Sequence, residues 1–121
     1  MESTKPASGP ARIAHIQGIP VVEVSGRLDT FSAPLFDVQT SSLFADRCQR
    51  VLFDLSAATY LSSAGLRSIL KVIKLTAPGG GRVGMFSISP QVLEIIEISG
   101  FQALMDIYPD RETALRECVA S

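Results

Sequence analysis

The stretch that decides the fold is residues 51–66, which read VLFDLSAATYLSSAGL. Residues 51–55 form an apolar run with one acid, Asp54, near its end, and such a run is typical of a strand buried on both faces. The small residues at 56–59 predict a loop. From about Ser63 onward the sequence predicts a helix, because apolar side chains recur at the spacing of one helical face, at Leu66, Ile69, Leu70 and Ile73.

Residues upstream of this stretch predict a hairpin. A weak strand around residues 13–16 is followed by turn residues at 17–20 and by β-branched residues at 21–24. The segment Gly26-Arg27-Leu28-Asp29 ends the second strand.

A helix is predicted next, over residues 32–46. Thr30 and Ser32 are both suited to cap it, and Pro34 suits its first turn. The pattern offers two neighbouring stripes, Leu35, Val38 and Ser42 on one and Phe36, Leu43 and Phe44 on the other. The pattern alone does not choose between these stripes.

Residues after the central helix predict two further pairs of strand and helix. A strand over residues 83–86 precedes a helix that begins at Ser89-Pro90 and ends at Gly100. Leu104 to Tyr108 form the last predicted strand, and Asp110 caps a final helix. The inner residues of that helix are expected to be Ala114, Leu115, Cys118 and Val119.

The predicted order of elements is β-β-α-β-α-β-α-β-α, which implies an α/β fold with a mixed, largely parallel sheet covered by helices. The 121 residues fit one domain over residues 11–121, after a flexible tail over residues 1–10. The tail lacks the apolar core of a signal peptide, and no apolar run approaches the ~20 residues that span a bilayer. We therefore expect a cytoplasmic protein without membrane insertion.

Composition and charge argue against several classes of function. The formal net charge is −1, so the chain lacks the basic footprint of a direct nucleic-acid binder. His15, Cys48 and Cys118 show no metal-ligand spacing, and a disulfide between the two cysteines is not expected in the cytoplasm. Residues 79–82, Gly-Gly-Gly-Arg, lack the Lys-Ser/Thr ending of a P-loop. The sequence also lacks a recognisable nucleophile motif. Together these observations predict no metal, no cofactor and no catalysis.

Ser62 and Ser63 stand at the start of the central helix, and local chemistry leaves two interpretations open. A hydroxyl at this position caps the helix, which is worth about 1 kcal/mol. Alternatively it accepts a phosphate, whose charge of about −1.5 to −2 suits a helix start but disrupts a protein interface. For Gly65 the purely structural interpretation is a position of close packing.

Two motifs together resemble the STAS family. This family includes the bacterial anti-sigma-factor antagonists and is also found at the ends of sulfate transporters. The first motif is the apolar strand 51–56 followed by Tyr60-Leu61-Ser62-Ser63-Ala64-Gly65-Leu66. The second is Gly26-Arg27-Leu28-Asp29, which resembles the family's Gly-x-Leu-Asp motif. The resemblance extends along residues 11–119.

This resemblance implies a phosphorylation site and a docking surface. The family's acceptor stands two positions before the glycine, which here is Ser63. Many members carry Asp where this chain has Ser62, so Ser62 is a second candidate acceptor. The surface implied for a partner comprises Asp29, Ser62, Ser63, Ala64 and Gly65, although Asp29 alternatively forms a turn or caps a helix.

The function implied by the resemblance is a binding switch. The unphosphorylated chain sequesters an anti-sigma factor that is also a serine kinase, and so frees the sigma factor. Phosphorylation by that kinase ends the sequestration, and a serine phosphatase restores it. The alternative is an accessory subunit of a lipid-transport ABC complex, in which Ser63 is an ordinary helix cap.

Overall fold

The computed structural model describes residues 9–45, 50–76 and 82–120. Within these residues the strands form one sheet in chain order, with bounds β1 Ala11–Ile16, β2 Ile19–Leu28, β3 Arg50–Leu61, β4 Arg82–Phe86 and β5 Asp106–Tyr108. The helices are α1 Ala33–Ala45, α2 Ser63–Thr76, α3 Pro90–Ser99 and α4 Arg111–Ala120, with a 3₁₀ helix at Phe101–Leu104. The predicted order is confirmed, whereas the tail up to residue 8, Cys48 and the glycine-rich turn at 79–81 lie outside the described residues.

β1 and β2 form the predicted hairpin, with a tighter turn than expected. Ile16 pairs with Ile19, so only Gln17 and Gly18 lie between the strands. Both have positive φ, 55° and 80°, as a two-residue turn of type I′ requires. Ile19 and Pro20, which were expected in the turn, are buried residues of β2.

The sheet separates two apolar layers. β2 to β5 are parallel and follow one another across the sheet, and right-handed crossovers in one direction place all connecting helices on the same face. The larger layer lies under α1, α2 and α3 and includes Val24, Phe36, Phe53, Ile69, Met85 and Ile96. The smaller layer lies under α4 and comprises Ile19, Val21, Leu52, Phe86, Ala114, Leu115 and Cys118.

The structure decides which stripe of α1 faces the core. Phe36 and Leu43 are buried, whereas Leu35 and Val38 are 44% and 68% exposed. The buried stripe also includes Thr40, whose hydroxyl donates a hydrogen bond to the Phe36 carbonyl at 2.9 Å. This internal bond satisfies the hydroxyl, so a polar residue is tolerated on the inner face.

The helix ends follow the predicted capping chemistry. Ser89 accepts a backbone hydrogen bond at 3.3 Å, Pro90 is the first residue of α3, and Gly100 ends this helix with a φ of 81°. Asp110 caps α4 by accepting a hydrogen bond from the Thr113 amide at 2.8 Å. In the described part of the chain, no helix has the length and hydrophobicity needed to cross a membrane.

β5 is shorter than the strand predicted from Leu104 to Tyr108. Residues Phe101–Leu104 form a 3₁₀ helix, and the strand begins only at Asp106. Phe101 and Met105 pack against the larger apolar layer, so the chain turns inward before it joins the sheet.

β2 and β3 continue as a paired extension beyond Asp54, the last residue of β3 that pairs with β4. The predicted loop at 56–59 is therefore wrong. Arg27 pairs with Tyr60 and Leu28 with Leu61. The pairing has two register irregularities, and Gly26 at one of them has a φ of 69°. In this part of β3 burial recurs every third residue instead of every second, which removes the alternation that identifies a strand.

The extension ends where α2 begins, at the carbonyl oxygen of Leu28. This oxygen accepts a hydrogen bond from the Ser62 amide at 2.9 Å. It also lies directly against Gly65, where an added Cβ would overlap the oxygen and lie 3.0 Å from Leu28 Cγ. Only glycine allows this approach, as expected for a position of close packing.

Gly65→Ala is expected to destabilise the domain by about 1–3 kcal/mol, because the added methyl group overpacks against backbone. Urea denaturation at equilibrium measures this change. The controls are Arg67→Ala and Arg67→Gly, at an exposed position of the same helix. There the alanine variant should be more stable than the glycine variant by about 1 kcal/mol. Equal or greater stability of the Gly65→Ala variant would contradict the assigned contact.

Candidate functional site

The two serines at the start of α2 have different environments. Ser62 is the residue before the helix, and its Oγ accepts a hydrogen bond from the Gly65 amide at 3.2 Å. Its carbonyl accepts the first helical bond, from the Leu66 amide at 2.9 Å. Ser63 is the first residue of α2 and is exposed, and its hydroxyl has no hydrogen-bond partner among the described residues. The cap is therefore Ser62, and Ser63 is not needed for it.

Asp29 organises the loop between β2 and α1. Its Oδ1 accepts hydrogen bonds from the amides of Phe31 and Ser32, at 3.0 and 3.1 Å. In return the Ser32 Oγ accepts a hydrogen bond from the Asp29 amide at 2.9 Å. The backbone hydrogen bond from Ser32, with help from that of Phe31, lowers the pKa of Asp29 below its ordinary value. Asp29 thus forms a turn, which was one of the roles expected for it.

Arg27 connects the two motifs. Its guanidinium lies 4.3 Å from the centre of the Tyr60 ring, a cation–π contact. Its Nε lies 3.6 Å from Asp29 Oδ2. Arg27 therefore bridges the β2 end to the segment that leads into Ser62. This pairing is not apparent in the sequence, because it depends on the register of the irregular extension.

Phe31 is a second feature that sequence analysis missed. It is 94% exposed and lies in the loop that Asp29 organises. The available signal was a large aromatic residue in a short turn, outside the periodic pattern of the following helix. An exposed aromatic side chain is a typical anchor in a protein interface.

The structure brings the predicted site residues together at one end of the domain. The hydrogen bond from Ser62 to Leu28 places the start of α2 beside the residue that precedes Asp29. Ala64 is half-buried next to the exposed Ser63, and Gly65 is buried.

Asp54, the acid of the central strand, lies in a separate charged cluster. Its Oδ2 is 3.1 Å from Arg111 Nη2, and its Oδ1 accepts a hydrogen bond from the Ser56 amide at 2.9 Å. Arg111 also lies 3.5 Å from Glu23 Oε2. The cluster holds the start of α4 on the sheet. The described residues contain no group of three or more His, Cys, Asp or Glu side chains that would hold a metal.

Asp29→Asn is expected to make unfolding less sensitive to acid. Because the pKa of Asp29 is lowered in the folded state, its ionised form stabilises the fold above the ordinary pKa near 3.8. That contribution disappears as pH falls through the folded-state pKa. The stability difference between the wild type and the variant should be constant above about pH 5 and shrink below about pH 4. Thermal unfolding as a function of pH measures it, and a difference that does not change in acid would contradict the assignment.

The chain matches the model of the STAS domain over residues 11–114. It is 29% identical over 104 residues to the anti-sigma F factor antagonist of Paenibacillus polymyxa, covering 85% of this chain and 89% of the relative. An anti-sigma factor antagonist structure from Mycobacterium paratuberculosis superposes with a TM-score of 0.82 at 26% identity, covering 96% and 98% of the two chains.

A third similar protein is SpoIIAA, the cell fate determinant of Bacillus, whose structure is known in the phosphorylated form. It superposes with a TM-score of 0.68 at 16% identity over 88% of this chain and 97% of that one, which shows a shared fold. The family model covers most of the chain and both motifs, so the chain belongs to the STAS domain family.

Proposed function

We propose that this chain is an anti-sigma-factor antagonist, a phosphorylation-controlled binding switch without catalysis of its own. The observation that carries the proposal is the division of roles between adjacent serines. Ser62 is committed to the cap, whereas Ser63 presents an exposed hydroxyl at the same helix start. The Paenibacillus relative, named as an antagonist of the anti-sigma F factor, supports the role.

A phosphate on Ser63 is compatible with the fold. It would stand at the first residue of α2, where backbone amides are exposed and the helix dipole favours negative charge. In a protein interface the same group, with a charge of about −1.5 to −2, causes repulsion and costs desolvation. Modification of Ser63 therefore blocks docking without unfolding the domain.

Ser62 is the weaker candidate acceptor. Its Oγ already accepts the hydrogen bond of the Gly65 amide, and the residue is only half-exposed. A kinase that modified Ser62 would have to break the helix cap, at a cost of about 1 kcal/mol. Ser63 requires no such change.

The partner proposed is an anti-sigma factor that is itself a serine kinase. The unphosphorylated chain holds this kinase and so releases the sigma factor. Phosphorylation of Ser63 ends the complex, and a serine phosphatase regenerates the binding form. Asp29 lies beside the docking surface as a carboxylate at neutral pH, since its pKa is lowered.

Ser63→Ala is expected to abolish phosphorylation and to leave the chain constantly able to bind. Ser63→Asp should weaken binding while the melting temperature stays close to that of the wild type. The full-length chain is incubated with ATP and each ATPase-fold anti-sigma-factor kinase of the source genome. Mass spectrometry then locates the phosphate, and calorimetry measures affinity.

Ser62→Ala is the matched control for this experiment. It should lower stability by about 1 kcal/mol through loss of the cap and leave phosphorylation of Ser63 in place. Phosphate on Ser62 alone would overturn the choice of acceptor. Absence of both phosphate and complex with every kinase would overturn the proposed function. Unchanged assembly of the Ser63→Asp variant with membrane ATPase subunits would favour the accessory-subunit alternative.

Phe31→Ala is expected to weaken kinase binding at least tenfold without affecting stability, because Phe31 is an exposed anchor beside the switch. Surface substitutions of this kind usually change stability by less than about 0.5 kcal/mol. Ile98→Ala is the control, since Ile98 is 80% exposed on α3 but outside the proposed surface. Equal affinities of the two variants would show that Phe31 is not an anchor.

A further inference from the structure

A groove of about 310 Å³ runs between α1 and α2 and begins near Ser63. Thr30, the neighbour of Asp29, and Ala64, the neighbour of Ser63, lie at this end. Further along, Asp37 from α1 and Arg67 and Lys71 from α2 line the groove. It is thus continuous with the surface proposed above, but none of these last three residues belongs to either motif.

Asp37 is incompletely satisfied. Lys71 Nζ lies 3.4 Å from Asp37 Oδ2, an ion pair that links the two helices across the groove. Asp37 Oδ1 is enclosed and accepts no hydrogen bond from the residues that the structure describes. Because this oxygen is enclosed, a docked segment does not reach it.

Arg67 is the unpaired cation of the groove. It is exposed and makes no ion pair or hydrogen bond within the described part of the chain. Lys71 follows it by four residues, so both cations lie on the same face of α2. Since two cations oppose the single carboxylate of Asp37, the groove has an excess of positive charge. The complementary occupant is acidic.

We propose that the groove receives an acidic segment of the anti-sigma-factor kinase. A carboxylate of that segment pairs with Arg67. The proposal rests on the proposed function, because it names how the same partner is held. It adds a specificity residue, Arg67, which the sequence motifs do not contain.

The geometry also connects the groove to the switch. Ser63 precedes Arg67 by four residues on α2, which is the spacing of neighbouring side chains on a helix surface. A phosphate on Ser63 and the kinase carboxylate therefore compete for one guanidinium group. A phosphate that pairs with Arg67 makes this guanidinium group unavailable to the partner. It also places a new anion in the interface.

The test measures binding of full-length variants to the kinase that forms a complex with the wild type. Arg67→Gln should weaken binding roughly tenfold and Arg67→Glu roughly a hundredfold, with unchanged melting temperatures. Lys74→Gln and Lys74→Glu are the matched controls, because Lys74 is an exposed cation of α2 that does not line the groove. Both should bind nearly as well as the wild type. Changing the contacting kinase carboxylate to Arg should restore binding of Arg67→Glu.

The same assay measures the coupling between Ser63 and Arg67. Ser63→Asp should weaken binding less in the Arg67→Gln background than in the wild-type background, because the two changes act on one interaction. Equal effects in both backgrounds would overturn the competition. If the wild type binds but Arg67→Glu binds as well as Lys74→Glu, the groove is not the docking site and the proposed function stands. If the wild type binds no kinase, both proposals are overturned.

Discussion

The contact between the Leu28 carbonyl and the start of α2 is the constraint on which the site depends. One oxygen accepts the Ser62 amide hydrogen bond and lies against Gly65. Because the bond comes from backbone and the contact requires a missing side chain, neither can adjust by a change of rotamer. The contact therefore fixes the loop after β2 relative to the helix that carries Ser63. A modification at that helix acts on a surface whose shape is already set.

The adjacent serines differ in their contribution to stability, as the proposed switch requires. A helix start needs one capping oxygen, and Ser62 supplies it. The next residue has helical geometry, points to solvent and contributes no bond to the cap. A charge added at Ser63 therefore leaves the cap intact, whereas the same charge at Ser62 would remove an interaction that the fold uses. This difference of one residue is the physical reason why the proposed switch could change binding while the domain stays folded.

The sequence predicted those parts of the fold that depend on local pattern. The apolar run of β3, the periodic face of α2 and the caps at Ser89 and Asp110 each depend on residues close together in the chain. The extension of β2 and β3 was missed, because its irregular register removes the two-residue period. Of the candidate site, sequence identified the two serines and Asp29. The Arg27–Tyr60 pair and the groove between α1 and α2 were missed, because both join segments that only the folded chain brings together.

Asp29 and Asp54 show the limit of prediction from local pattern most clearly. Each acid directly follows an apolar residue, Leu28 before Asp29 and Phe53 before Asp54. Asp29 accepts hydrogen bonds from amides two and three residues away, so its role follows from its own loop. Asp54 pairs with Arg111, 57 residues further along, and holds α4 on the opposite face of the sheet. A local pattern contains these partners of Asp29 but lacks Arg111. Asp54 of the longer motif therefore anchors α4, whereas Asp29 of the shorter motif orders the loop after β2.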